Sequence, residues 1–414
     1  MSAEQTRKDA VSAEPVLEAK FGLPRDVRFC SRCVISNQRP SSAVEYQHTS
    51  ASRKDTIHLD EAGVCAACRF AEMKDTQVNW TERERELRDL LARHRRTDGR
   101  FDVLVPGSGG KDSIYAAHLL RYKFDMHPLT VTWAPHIYTE VGWRNFQAWI
   151  HSGFTNFLCT PDGRVHRTLT RLAFENLLHP FQPFIFGQKS FAPKFAARYD
   201  IPLVVYGENE AEYGNPIVEA ATPRRDLRYF AGSTDLESLY LGGVHASELP
   251  RHGVQLWELE PYLPADPAVL HDKKIEVHYL GYYLKWIPQE CYYYAVEHAG
   301  FEANTERTEG TYSKYNSIDD RMDGLHYFTT FIKFGLGRAS YDAAQEIRNH
   351  HLTREEGVSL VRRFDGEVPR KWLQENLDYM GITEARFWEL IDQFRSPHLW
   401  KREGDRWRLR HQVS

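Results

Sequence analysis

The sequence predicts an α/β fold, a parallel sheet with helices on both faces, with a small cysteine module before it and a mainly helical region after it. Three observations carry this expectation. Between residues 101 and 206, short apolar runs alternate with helical patterns. A glycine-rich string, Ser108-Gly109-Gly110-Lys111-Asp112-Ser113, joins the first apolar run to the first helix of that series. Two Cys-x-x-Cys pairs, Cys30/Cys33 and Cys65/Cys68, stand upstream in a stretch too short to bury a core of its own.

Composition bounds the function. The 414 residues are 42% hydrophobic and 27% charged, an ordinary soluble composition with room for two domains and an added module. A formal net charge of −4 implies no general attraction to nucleic acid. No apolar stretch approaches bilayer-spanning length, and Met1 to Ala13 is too polar for a signal peptide, so the expected location is the cytoplasm. In that compartment, paired cysteines favour a metal over disulfides.

In chain order, residues 1–27 read as a loose tail. Residues 28–75 read as the metal module, with Cys30, Cys33, Cys65 and Cys68 as four thiolate ligands for tetrahedral zinc. Residues 76–225 form the nucleotide domain, opening with an amphipathic helix from Thr81 to Arg96 in which Thr81 and Glu84 suit a capping box. Phe101–Val105, Pro128–Trp133, Asn156–Cys159 and Leu203–Tyr206 are the expected strands. Helices are expected to about Tyr122, over Val141–His151, over Val165–Leu178 and over Lys189–Tyr199. Residues 226–414 begin as a loose insertion and become mainly helical from His271. Tyr341–Arg363 and Arg370–Phe394 are expected helical segments, and Lys401–His411 a solvated tail.

The glycine string suits a phosphate. Two adjacent glycines let backbone approach a ligand, and the helix N-terminus behind them presents free amides and partial positive charge. Ser108, Ser113 and Lys111 add hydroxyls and a cation. At the end of the fourth strand, Glu208, Glu210 and Glu212 cluster where ligands sit in such sheets, and carboxylates beside a triphosphate hold Mg²⁺. Trp133, ending the second strand, is expected against the adenine or ribose. Tyr312, Lys314, Asn316, Asp319 and Asp320 lie in a stretch too polar for a core.

Ser-Gly-Gly-Lys-Asp-Ser lacks the Walker spacing. It resembles the PP-loop of the ATP pyrophosphatase superfamily, whose Rossmann-like domains split ATP between the α and β phosphates. The resemblance narrows when further strings are read with it: Gly207-Glu-Asn-Glu-Ala-Glu-Tyr-Gly214, Trp286-Ile-Pro-Gln-Glu-Cys-Tyr-Tyr-Tyr-Ala295, Tyr312-Ser-Lys-Tyr-Asn-Ser-Ile-Asp-Asp320 and His351-Leu-Thr-Arg-Glu-Glu-Gly357. Together with the cysteine pairs, over residues 28 to 395, they resemble the N-acetyl sugar amidotransferases of bacterial surface-polysaccharide (O-antigen, lipopolysaccharide) biosynthesis.

That resemblance implies an ATP-dependent conversion of an acetamido group on a sugar or nucleotide sugar into an acetamidino group, with ATP, Mg²⁺ and Zn²⁺ as cofactors. It implies Lys111, Asp112, Glu208 and Glu212 as the catalytic set, and Tyr312, Lys314, Asn316, Asp319 and Asp320 as sugar contacts. It also implies a glutaminase partner supplying ammonia, with a cyclase-like companion, because no Gly-x-Cys-x-Gly elbow surrounds Cys159 or Cys291. The competing expectation is a PP-loop tRNA thiolation enzyme, which also places zinc knuckles before such a loop. The lack of a basic stripe, with 53 Lys and Arg against 57 Asp and Glu, disfavours it.

Overall fold

A computed structural model describes residues 17–49, 52–215 and 222–414. Its centre is a five-stranded, all-parallel sheet in which β3, β2, β1 and β4 run in that order and Glu276–Tyr279 (β7) lies beside β4. β1 (Val103–Pro106), β2 (Pro128–Trp133), β3 (Thr155–Cys159) and β4 (Leu203–Tyr206) are the four expected strands, shifted at most two residues at their ends. Leu104 of β1 is in register with Leu129 on one side and Val204 on the other. The chain therefore builds outward through β2 and β3, then returns to the opposite side of β1. That reversal leaves a crevice at the carboxyl ends of β1 and β4.

Alternation along the strands divides the core. Val103, Val105, Leu203 and Val205 face Leu87, Leu90 and Leu91 of α2 (Trp80–His94), together with Ile114 of α3 (Lys111–His118) and Trp149 of α4 (Glu140–His151). Leu104, Leu129, Val131 and Val204 face Ala192 and Ala196 of α6 (Gln182–Tyr199). α5 (Gly163–Leu177) packs its Phe174 against the C-terminal helices. Asn79, not Thr81, caps α2, its side chain accepting from the Glu82 amide. The helix therefore starts ahead of Thr81, and the capping box expected between Thr81 and Glu84 does not form.

Several further expectations are corrected. Glu276–Tyr279 (β7), within the stretch the sequence reads as helical from His271, joins the sheet beside β4 as a fifth parallel strand. It arrives after an excursion holding a two-residue hairpin, β5 (Tyr240–Leu241) with β6 (Val244–His245). Tyr341–Arg363 is two helices, Arg338–Arg348 and Arg354–Phe364, because Thr353 and Glu356 close a capping box and restart the chain. Lys401–His411 is no tail: β8 (Trp400–Glu403) and β9 (Arg406–Leu409) pair, and the buried Trp400 donates its indole N–H to the Ile332 carbonyl at 2.8 Å. Of the expected tail over 1–27, residues 17–27 lie against this region. Leu23 is buried with Phe328 and Phe394, and Lys20 N donates to Ser396 Oγ at 2.9 Å. Residues 1–16 lie outside the described residues.

The cysteine module joins the helical region instead of the sheet. Val34, Ile35 and Ile57 share a core with Ala343, Ala344, Val358 and Val361. α1 (Ala66–Thr76) then reaches the end of β4, where Lys74 pairs with Glu212 at 2.5 Å, both buried. Among the described residues no helix is long and apolar enough to cross a membrane.

Three histidines tie stability to pH. His166, His278 and His398 are each under 5% exposed, and burial lowers all three, His278 and His398 to about 4. Unfolding frees them to take protons below about pH 6.5, so the stability of keeping them neutral is complete above that pH. It is lost as pH falls toward the folded values, each histidine contributing up to about 1.4 kcal/mol per pH unit. Urea midpoints are expected to fall steeply from pH 6.5 to 5; a flat midpoint over that range would contradict the assignment.

Candidate active site

The crevice between β1 and β4 opens into a cavity of about 650 Å³. Its floor is the glycine string. Gly109 holds φ at +85°, and a Cβ there would stand 2.6 Å from the Phe146 Cα, so only glycine lets this turn lie against α4. Gly110 ends the turn in extended backbone as the N-cap of α3, leaving the first amides of that helix without helical partners. Ser113 Oγ donates to the Gly110 carbonyl at 2.9 Å, bracing the turn.

Lys111 is the buried cation of this floor. Burial alone would lower its ammonium, but Asp112 at 2.5 Å outweighs burial and the net shift is upward. The amine stays charged for a phosphate. Asp112 spends only one oxygen on Lys111; its Oδ1 is buried without a partner. Across from it, burial raises the Glu208 carboxyl and the Asp112 charge raises it further, while the Tyr213 hydroxyl donates to Glu208 Oε1. An unfilled carboxylate oxygen facing a second carboxylate suits Mg²⁺, which binds through one or two carboxylates and keeps its waters for phosphate oxygens.

The opposite wall comes from the segment after β7. Tyr315, Asn316, Ser317, Ile318 and Asp319 line the cavity, and the Tyr315 ring lies 6.0 Å from the Lys111 ammonium. The segment is pinned to the sheet through Thr139 N, which donates to the Asp319 carbonyl at 3.1 Å. Gly142 permits this approach, since a Cβ there would meet the Asp319 Cα at 2.4 Å. Asn316 Nδ2 donates to Asp342 Oδ1 at 3.2 Å. Burial pushes the Asp319 carboxyl up, and burial with the Asp319 charge pushes Asp323 up further.

Of the residues expected at the site, Ser108, Gly109, Gly110, Lys111, Asp112, Glu208, Glu210, Asn316 and Asp319 line one cavity. Five others do not. Glu212 turns away to Lys74, and its backbone carbonyl accepts from Arg348. Trp133 is buried edge-on against Phe191 and Tyr262, over Gly187, whose missing side chain makes room for the indole. Asp320 accepts from the amides of His136, Ile137 and Met322 and from the His136 ring. Tyr312 packs with the cysteine module, and Lys314 reaches outward to the Thr305 carbonyl. Sequence position marks a strand end or a polar loop; it does not tell which way a side chain points.

Other cavity residues carried no signal in the sequence. Lys189, lowered to about 8 by burial, donates to the Ser42 carbonyl. Arg225 pairs with Glu210 at 2.9 Å. Arg39, from the cysteine module, and Arg338 and Arg348, from one C-terminal helix, also line the space.

The four cysteines fit a metal by their geometry. Their Sγ atoms all lie within 4.8 Å of one another, with Cys30 and Cys68 at 3.9 Å and Cys33 and Cys65 at 3.8 Å. A tetrahedron with Zn–S bonds of about 2.3 Å has edges near 3.8 Å. Amides of Arg32, Cys33 and Cys65 point at Cys30 Sγ from 3.3 to 3.5 Å, the arrangement that steadies a bound thiolate.

Residues 309–413 match the family model for the C-terminal domain of LPS biosynthesis protein WbpG-like proteins. An uncharacterized protein of Methanocaldococcus jannaschii, MJ1599, is 31% identical over 84 residues, which span 20% of this chain and 29% of that protein. Among solved structures, a U34-tRNA thiolase, NcsA, from Methanococcus maripaludis superposes on 77% of this chain and 87% of its own at 13% identity and a TM-score of 0.31. An NH3-dependent NAD synthetase from Campylobacter jejuni covers 32% of this chain and 58% of its own at 13% identity and a TM-score of 0.26. Both superpositions are loose.

Proposed function

We propose that this chain, which carries the C-terminal domain of the WbpG-like LPS biosynthesis family, is an ATP-dependent enzyme of that biosynthesis, forming AMP and pyrophosphate while it replaces an acetamido oxygen on a sugar with nitrogen. One observation carries the reading. The phosphate loop at Ser108–Asp112 and residues 316–319 of the WbpG-like segment line the same cavity, so a nucleotide on one wall would face an acceptor on the other.

The chemistry follows from the walls. An amide oxygen is a poor leaving group. Its attack on the α-phosphorus forms a new O–P bond and breaks the bond to the β-phosphate bridging oxygen, releasing pyrophosphate and leaving an adenylated imidate. Ammonia adds to the imidate carbon; the C–O bond then breaks, AMP departs with the former amide oxygen, and loss of a proton from nitrogen leaves the amidine. Lys111 and the amides of the loop would stabilise charge developing on the phosphates. Asp112 and Glu208 would hold Mg²⁺, which supplies further neutralisation. Asp319 and Asn316 stand where the acceptor would lie.

Ammonia is expected from a glutaminase partner. AMP release with a panel of N-acetylated and di-N-acetylated amino sugars is expected to require ammonium when the chain is alone; full activity on glutamine without ammonium would sink the partner. AMP formation with none of the sugars, but with tRNA, would favour thiolation. Against thiolation stand the two remaining cysteines. Burial and the Asp112 charge push the Cys291 thiol well up, and Cys159 sits on the edge strand, also raised by burial.

A further inference from the structure

Arg39 is a buried cation without an anion. It is 4% exposed and lines the cavity, yet among the described residues no carboxylate, hydroxyl or carbonyl accepts from its guanidinium. It lies over the Tyr341 ring at 4.7 Å and the Tyr213 ring at 5.7 Å. Ring faces favour the charge but leave its five N–H donors unfilled. Burial disfavours its charge most and Arg348 opposes it as well, while Tyr341, Cys65 and Tyr213 favour it. Arg348 lines the same cavity. Its Nη2 donates to the Glu212 carbonyl at 3.1 Å, while its Nη1 is buried with no acceptor. Both guanidinium groups line one cavity; the cysteine cluster favours their charge but accepts none of these N–H bonds, which leaves donors for an anion entering from the cavity.

The backbone holds Arg39 there deliberately. Its amide donates to the Ser36 carbonyl at 3.2 Å, and its carbonyl accepts from Ile57 at 2.9 Å, tying it to the knuckle strands on both sides. Arg338, by contrast, is occupied by Asp342 at 3.0 Å and by the Tyr327 hydroxyl. Lys54 and Lys333 are occupied by Glu45. Arg225 also has unfilled donors, but its Nη2 is held by Glu210 at 2.9 Å; among the described residues Arg39 and Arg348, where the cysteine module meets the WbpG-like domain, are paired with no carboxylate.

We propose that Arg39 and Arg348 form a second anion-binding subsite, separate from the phosphate loop, that takes a carboxylate or phosphate of the acceptor sugar. Guanidinium forks match both oxyanions in bidentate fashion. The identity of the ligand as an acceptor sugar rests on the function proposed above; the existence of the subsite does not.

The test uses the full chain saturated with α,β-methylene-ATP, so that the phosphate loop is filled. N-acetylglucosaminuronate, N-acetylglucosamine 1-phosphate and neutral N-acetylglucosamine are titrated by calorimetry. At least one anionic sugar is expected to bind tenfold or more tightly than the neutral one, the carboxylate and phosphate arms showing which anion is taken. Arg39→Met is expected to abolish that preference while leaving the neutral sugar and the ATP analogue unchanged. Arg39→Lys and Arg348→Lys, which keep the charge and lose the fork, are expected to weaken it severalfold; they also serve should the methionine variant fail to fold. Equal binding of the three sugars, a preference that survives in all three variants, or a tenfold loss of ATP-analogue affinity in place of the sugar effect would each overturn the proposal. Because binding is read without turnover, these outcomes are independent of whether AMP is formed, which is what tests the function itself.

Discussion

Lys111→Ala is expected to lower pyrophosphate release by about 10²–10³-fold, the range seen when one positioned donor is removed from a transition state. The expectation rests on the floor of the cavity: Lys111 is the cation nearest the free amides of α3, is 8% exposed, and is kept charged by Asp112. Its aliphatic stem contributes little to the core, and Asp112 keeps one edge toward solvent, its side chain being 33% exposed. The variant should therefore melt near the wild-type temperature. Circular dichroism establishes the fold and a coupled pyrophosphate assay the loss. Turnover within threefold of wild type in a folded variant would remove Lys111 from the phosphate site.

Cys65→Ser carries the second large effect, this time on the fold. Cys65 immediately precedes α1, and its sulfur is one edge of the four-cysteine cluster. The module's own Val34, Ile35, Ile57, Leu59 and Val64 pack around the cysteines and share that small core with Ala343, Val358 and Val361. Metal binding in such small modules supplies folding free energy of about 10–16 kcal/mol in isolated peptides. Losing one ligand is expected to drop bound zinc from one equivalent toward none, lower the melting temperature by many degrees, and expose residues 28–75 to protease. Because Arg39 and Lys74 hang from the same module, the cavity should suffer with it. Full zinc occupancy with unchanged melting would show that the cluster is not the metal site.

How much of this could be read beforehand depends on what each residue's neighbours in sequence reveal. β1 to β4 were legible because Val103–Val105 and Leu203–Val205 are short apolar runs bounded by turns, and burial on both faces needs no partner to be recognised. β7 was not: Glu276-Val277-His278-Tyr279 is half polar, and its only strand neighbour, β4, lies some seventy residues earlier. The glycine loop was legible because its chemistry is local, six residues acting together. Glu208 and Glu212 look alike in the sequence, but a 3₁₀ turn over Glu210–Tyr213 sends Glu212 to Lys74 on a helix that precedes the sheet. Trp133 ends a strand that does point at the cavity, yet its indole is captured by the space above Gly187, fifty-odd residues away. Arg39 left no signal at all. A lone arginine after a cysteine knuckle becomes informative only when its lack of a carboxylate partner is seen in three dimensions.

In the proposed reaction the acetamido oxygen attacks the α-phosphate. This attack is tested most directly by supplying the sugar with ¹⁸O in its acetamido group, together with ATP and ammonium, and reading the AMP by mass spectrometry. The predicted result is one ¹⁸O in the phosphate of each AMP formed. AMP carrying only solvent oxygen, with the label still on the sugar or released to water, would contradict adenylation of the amide.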